Sequence, residues 1–137
     1  MSNYTTKDNT KEVLSALEKA IERGLEAIGL QAEGYAKEDP NMPVDTGLAR
    51  NSITFAISGK SANISTYSDD KGTETGSYSG TAPNDKDKAV YLGSNVEYFP
   101  HIELGSSTIS ARHVLKRAAT EHTAEYKKLM EDSMKNA

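Results

Sequence analysis

The chain has no cysteine and no tryptophan, only two phenylalanines and four prolines, and no long apolar run. Without cysteine there can be no disulfide, no thiolate metal site and no cysteine nucleophile, which agrees with an intracellular origin. No hydrophobic stretch approaches the roughly 20 residues that a membrane helix needs, and residues 1–10 are polar, so neither membrane insertion nor secretion is expected. Positive charge is scarce as well: 16 basic residues stand against 20 acidic ones, for a net charge of −4. Long-range attraction for nucleic acid is therefore not expected, and a sequence-reading DNA-binding role is disfavoured. A length of 137 residues fits one domain with no room for a separate catalytic one.

What the chain does contain is helical periodicity at both ends. Asn9 with Glu12 forms a potential capping box, after which Val13, Leu14, Leu17, Ile21, Leu25, Ile28, Ala32, Tyr35 and Ala36 recur at threes and fours. The pattern predicts a flexible tail over 1–9 and one helix over 10–38, about 44 Å long at ~1.5 Å per residue. Gly24, Gly29 and Gly34 each cost roughly 1 kcal/mol relative to alanine inside a helix, so tertiary packing must hold this element. Close approach of the helix to a sheet explains them; a hinge is the alternative. At the other end Ser110 is a candidate N-cap, and Leu115, Ala118, Ala119, His122, Tyr126, Leu129 and Met130 form the stripe of a helix over 110–135.

Between the helices, Pro40 and Pro43 break the first pattern, and Asp45 or Thr46 offers a side-chain oxygen to cap a short turn over Gly47 to Asn51. Residues 40–51 thus act as a Pro-rich switch. From Ser52 the period becomes two. Ile53, Phe55 and Ile57 share one face of a strand, Gly59-Lys60-Ser61 reads as a turn, and Ala62, Ile64 and Thr66 alternate in a second strand, so a hairpin is expected over 52–67. Residues 68–88 have almost no apolar side chains and read as a long mobile loop. A strand and turn follow over 89–105, closing at Gly105. The expected architecture is α+β: the long N-terminal helix and the C-terminal helix pack on one face of a small antiparallel sheet of three or four strands.

Reactive constellations are sparse. His101 and Glu103 lie two apart, but the chain has no H-E-x-x-H and no further ligand at metal spacing, and His113 and His122, nine apart, fall on opposite faces of a helix. There is no G-x-S-x-G elbow and no glycine-rich phosphate loop. No catalytic, metal or cofactor site is expected. Asp45 reads as a cap, and Arg50 as the partner of an acidic group such as Glu103 or of a neighbouring subunit.

Three stretches carry a likeness. Pro43-Val44-Asp45-Thr46-Gly47-Leu48, followed by Arg50, Ser52 and Ile53, resembles the signature of the tail-completion, or head–tail joining, proteins of long-tailed double-stranded DNA bacteriophages and prophages. Val90 to Gly105 resembles that family's Gly-polar-Val-Tyr segment with its later Glu-hydrophobic-Gly. Ala111-Arg112-His113-Val114-Leu115 is similar to its A-R-P-F-L motif, with histidine where proline is usual. The resemblance as a whole covers about Val13 to Met130, apart from the loop after Asp69.

The resemblance implies a non-enzymatic virion component at the tail–neck junction, present in the host cytoplasm during assembly. It implies a ring, six subunits in proteins of this kind, with other neck and tail proteins as partners and DNA passing through without sequence-specific binding. On that reading Arg50, Tyr98, Glu103, Asp69, Asp70, Tyr78 and Asp85 are candidate interface residues, and Pro43, Asp45, Thr46, Gly47 and Gly105 are structural. The loop from Asp69 to Lys88, with five acidic and three basic residues, would face the lumen or an adjoining ring. The acidic, polar surface suggests that the isolated chain is largely monomeric. Two other classes stay open: a cytoplasmic adaptor or regulatory protein using its amphipathic helices, and a small hydrolase or metal enzyme, which would need His101, Glu103 and Asp45 to converge.

Overall fold

A computed structural model describes residues 9–137. Apart from Asn9, the flexible tail expected over 1–9 lies outside the described residues. Helix α1 spans Thr10–Glu38, as the periodicity implies, and is about 44 Å long. Asn9 does not cap it through its side chain, so the expected capping box is not formed. The buried stripe starts only at Ala20 and continues through Gly24, Leu25, Gly29, Ala32 and Ala36, while Val13 and Leu14 remain 62% and 52% exposed.

Two of the three glycines explain themselves by contact. A Cβ on Gly29 would lie 2.2 Å from Phe55 Cδ2, and one on Gly24 would lie 2.6 Å from Met130 Sδ. The helix runs unbroken through all three positions, so close approach, not a hinge, accounts for Gly24 and Gly29. Gly34 has nothing within 4 Å of a would-be Cβ.

After the switch come α2 (Leu48–Ser52) and β1 (Thr54–Ile57), then β2 (Thr66–Ser68), β3 (Thr75–Ser77) and β4 (Val90–Gly93). β1 pairs antiparallel with β4, setting Thr54 opposite Gly93 and Ile57 opposite Val90, and β2 pairs antiparallel with β3. The α+β class therefore holds, but the strands form two sheets of two and not one of three or four. The hairpin expected over 52–67 is not formed. Its turn exists, with Lys60 N–H donating to the Ile57 carbonyl at 2.9 Å, but beyond it only Asn63 N–H reaches a β1 carbonyl, that of Phe55 at 2.8 Å. The reason is apolar mass: Val90 and Leu92 cover Leu25, Phe55 and Ile57 from β4, whereas Ala62, Ile64 and Thr66 offer a thinner face.

The expectation of an unstructured loop over 68–88 also needs correcting, because β3 lies inside it. The Asp69 carboxylate accepts the Thr73 N–H at 2.7 Å and the Thr73 hydroxyl at 2.5 Å, closing the β2–β3 turn. Turn chemistry of this polar kind leaves no apolar pattern to read. The rest of the segment is tied to the β1 turn, with Ala82 N–H on the Lys60 carbonyl at 2.8 Å and Gly59 N–H on the Pro83 carbonyl at 3.1 Å.

Helix α3 (Phe99–Leu104) starts with Pro100 in its first turn and ends at Gly105, whose φ of +83° suits glycine. The single helix expected over 110–135 is split into α4 (Val114–Thr120) and α5 (Thr123–Lys135), and Ser110 is not its cap. Instead the Glu103 carboxylate accepts the N–H groups of Leu115 and Lys116 at 2.9 and 3.0 Å, satisfying the free donors of α4 from twelve residues upstream. The break after α4 lets the Tyr126 hydroxyl donate to the Ala118 carbonyl at 2.5 Å.

Two apolar clusters result. Ala36, Met42, Leu48, Ile53, Phe99, Ile102, Val114 and Ala118 gather at the C-terminal end of α1, and Leu25, Phe55 and Ile57 form a smaller group along its middle. Helix α5 runs back along α1, where the Ser133 hydroxyl donates to the Ala20 carbonyl at 2.6 Å.

Replacing Gly29 with alanine should destabilise the fold by about 1–3 kcal/mol through overpacking against Phe55. Gly34→Ala should be neutral or stabilise by up to about 1 kcal/mol. Denaturant unfolding of the two variants checks the contrast; equal effects would contradict the close-approach reading.

Candidate functional site

The conformation at Gly47, with φ of +85°, sets up the corner between α1 and α2. A Cβ at Gly47 would lie 2.3 Å from Asp70 Oδ1, so only glycine leaves space for that carboxylate. Asp70 donates its N–H to the Thr46 carbonyl at 2.8 Å, and its side chain accepts Arg50 Nη2 at 2.7 Å and Asn51 Nδ2 at 3.0 Å. Asn51 also donates to the Ser68 carbonyl at 2.9 Å. The Arg50 and Asp70 side chains are 30% and 51% exposed, which limits the pair to about 0.2–1 kcal/mol. Arg50 thus pairs with Asp70 and not with Glu103, which is engaged at α4. Asp45 is exposed and does not cap α2; the Thr46 hydroxyl accepts the Leu48 N–H at 3.3 Å.

The other expected interface residues divide into pinned and free. Tyr78 donates its hydroxyl to the Ser52 carbonyl at 2.5 Å and accepts the Asn95 N–H at 3.1 Å, so it ties the second sheet to the first. Burial pushes its hydroxyl above the usual tyrosine range. Asp69 is buried in its turn, and its hydrogen bonds from Thr73 hold its carboxyl below the usual range. Asp85 accepts the Tyr91 hydroxyl at 2.6 Å. Tyr98 is free: it is 45% exposed and borders a shallow pocket with Pro43, Asp45, Gly47, Glu74 and Ile102. Beside the same large apolar cluster Val44, Leu104 and Ile109 are exposed, Leu104 at 72%.

Sequence periodicity could not show two long-range pairings. Arg117 Nε and Nη2 donate to Asp39 Oδ2 and Oδ1 at 2.9 and 3.0 Å, a two-pronged contact that joins the end of α1 to α4 across 78 residues. Burial pushes the Asp39 carboxyl up, but Arg117 and the Asn41 N–H outweigh it and hold the group below its ordinary value. Next to it the His122 ring stacks flat on Tyr35, with centroids 3.5 Å apart, and Tyr126 packs obliquely against both. The Tyr35 hydroxyl donates to Glu125, and burial pushes the Tyr126 hydroxyl up to about 12.

The histidines do not converge. His101 is exposed on α3, His113 precedes α4, and His122 is in the stack; among the described residues no group of three or more His, Asp or Glu side chains is placed to hold a metal ion. His113 has φ of +51°, which proline cannot adopt, so the start of α4 is built differently from the A-R-P-F-L motif it resembles. An apolar groove of about 300 Å³ lies between the sheet and the 78–83 segment and is lined by Phe55, Ala56, Tyr78, Pro83 and Tyr91. The hydroxyls of both tyrosines are bonded elsewhere, to Ser52 and Asp85, so the groove offers no paired acid and base. No helix of the described residues is long and apolar enough to cross a membrane.

Because the Asp39 value is depressed on folding, its contribution is present above the ordinary carboxylate pKa of about 3.9 and is lost as pH falls through the folded value. Arg117→Met should therefore lower the melting temperature by several degrees at neutral pH and make the loss of stability below about pH 4 shallower than in the wild type. Equal acid slopes would show that the pair is not a folding contact. No protein-family model matches the chain, and neither a curated protein nor a solved structure was found that is similar to it.

Proposed function

We propose that this chain is a structural protein of a tailed phage or prophage, a tail-completion or head–tail joining component that forms a ring around the DNA passage. The sequence likeness over Pro43 to Ile53, Val90 to Gly105 and Ala111 to Leu115 motivates the proposal. One structural observation carries it: apolar side chains stay uncovered at both ends of α1. Val13, Leu14 and Met134 are exposed at one end, and Val44, Tyr98 and Leu104 at the other. Two unlike apolar surfaces on one subunit suit head-to-tail contact, which closes into a ring when the rotation allows it.

In this reading six copies surround the channel, other neck and tail proteins cover the outer faces, and the protein carries out no reaction. Its acidic excess suits a passage that must not hold the polymer moving through it. Glu74 and Asp87 are the exposed carboxylates of the 69–88 segment left to face the lumen or the next ring, since Asp69, Asp70 and Asp85 are held by Thr73, Arg50 and Tyr91. Before it meets a tail, the free chain is largely monomeric at low concentration.

Tagged protein in purified particles should give label at the head–tail junction in negative-stain images, and loss of the gene should leave heads and tails unjoined. Label absent from particles, with infectivity unaffected by the loss, would contradict this reading and favour the cytoplasmic adaptor.

A further inference from the structure

Positive charge gathers at one corner of this acidic molecule. Between Tyr98 and Thr120 the chain has a single carboxylate, Glu103, against Arg112, Lys116, Arg117, His101 and His113. Glu103 is engaged by the N–H groups of Leu115 and Lys116, and Arg117 by Asp39. Glu97 and Glu121 stand just outside the stretch, where Glu121 acts on Arg117. Arg112 and Lys116 are left over: both are exposed, and among the described residues neither side chain has a hydrogen bond or an ion pair. Elsewhere Arg50, Lys60 and Lys127 each meet a carboxylate.

The backbone at this corner is held firmly. Arg112 N–H bonds to the Ile102 carbonyl at 2.8 Å and His113 N–H to the Glu103 carbonyl at 3.2 Å, closing residues 104–111 into a loop. Inside it Ser106 N–H bonds to the Ile109 carbonyl at 2.9 Å, and the Ser106 hydroxyl accepts the Ile109 N–H at 3.1 Å. A Cβ at Gly105 would lie 2.9 Å from the Ala111 nitrogen, so the loop closes tightly there. It carries Leu104 at 72% exposure and Ile109 at 45%. Leu104 follows Glu103, whose carboxylate holds the Lys116 N–H, and Arg112 is three residues beyond Ile109, so two aliphatic side chains and two free cations share one small surface.

We propose that this corner, Leu104 and Ile109 with Arg112 and Lys116, is a docking surface for a partner protein that presents carboxylates beside an apolar side chain. Charge sets the chemistry of the partner, because two unpaired cations with no unpaired carboxylate between them repel basic segments and favour acidic ones. The aliphatic pair sets its class. Nucleic acid is held by many phosphate contacts and by aromatic side chains on which bases stack, whereas the loop has no aromatic residue and only two free cations in a chain of net charge −4. A second copy is a poor match as well. Its exposed Val13 and Leu14 lie among charges of both signs, with Lys11 next to Glu12 and Glu18 next to Lys19. A loop fixed before binding loses little freedom on docking, which favours the contact.

The inference goes beyond the ring reading and does not depend on it. The pocket that Tyr98 borders holds Asp45 and Glu74 and is not lined by Leu104. Val44 and Tyr98 thus remain for a neighbouring subunit, and Leu104 is assigned to this partner.

Two short synthetic peptides with the same central Leu-Phe pair provide the test, one flanked by Asp and Glu and the other by Asn and Gln. Titrated into the full chain at low salt and followed by amide NMR, the acidic peptide should shift residues 101–116 and bind about fivefold tighter than the neutral one. The advantage should fade at high salt. Arg112→Gln combined with Lys116→Gln should abolish it while leaving the neutral peptide's weaker binding unchanged, and Leu104→Ser should weaken both. Equal binding of the two peptides, no binding of either at millimolar concentration, or shifts confined to other surfaces would overturn the proposal. A single-stranded oligonucleotide that moves the same amides more than the acidic peptide does would overturn it in favour of nucleic acid, and movement of those amides on concentrating the protein alone would do so in favour of a second copy. The comparison of peptides on the wild-type chain needs no variant, and absence of the protein from phage particles would leave it untouched.

Discussion

The fold depends on one close contact, the backbone of α1 at Gly29 resting on the Phe55 ring. A side chain there would hold helix and sheet apart and open the thin apolar layer of Leu25, Phe55 and Ile57. With only two phenylalanines and no tryptophan, the chain has little bulk to fill a wider gap. Small residues on the helix, from Ala20 through Gly24 and Gly29 to Ala32 and Ala36, bring the layers together instead. The same stripe admits α5, since Gly24 leaves space for Met130. One helix thus serves as the floor for the β1–β4 sheet and for the C-terminal helices.

Everything outside that layer is held by polar pins. Asp70 and Asn51 fasten β2 to the α2 corner, and Tyr78 and Asn95 fasten β3 to the residues flanking β1 and β4. Glu103 closes α4, and Arg117 joins it to the end of α1. Such bonds fix geometry more than they add net stability. They also engage four of the candidate interface residues: Asp69, Asp70, Glu103 and Tyr78 all have structural partners within the subunit. Among the described residues, large apolar side chains stay exposed near both ends of α1 and at Leu30 in its middle.

The sequence showed those parts that have a period. The bounds of α1 followed from apolar residues at threes and fours, and the switch over 40–51 followed from two prolines and a glycine. The apolar alternation of Val90 and Leu92 marked β4, but nothing local said that it would pair with β1 in preference to the nearer Ala62–Thr66 stretch; that choice is made by bulk on the helix-facing side. Inside the segment 68–88, β3 was hidden because its turn is closed by Asp69 and Thr73 with no apolar signal. The split between α4 and α5 was hidden for a similar reason, since the stripe of Leu115, Ala118, His122 and Tyr126 is nearly continuous across it. Of the candidate interface residues, Tyr98 is exposed, while Arg50, Glu103, Asp69, Asp70, Tyr78 and Asp85 each make a hydrogen bond within the subunit that the sequence did not show. Whether a charged residue pairs within its own chain or across a boundary is decided by distances of a few ångströms between remote segments, which spacing in one sequence does not encode.

The proposed function comes down to one claim: the chain works by shape, and its uncovered ends are completed by copies of itself around a channel. A symmetry-averaged reconstruction of the particle neck by electron cryomicroscopy tests it most directly. The account predicts a closed six-membered ring into whose repeating density α1 and the two small sheets fit. A neck with no density for this chain, or subunits arranged in two-fold pairs, would contradict it.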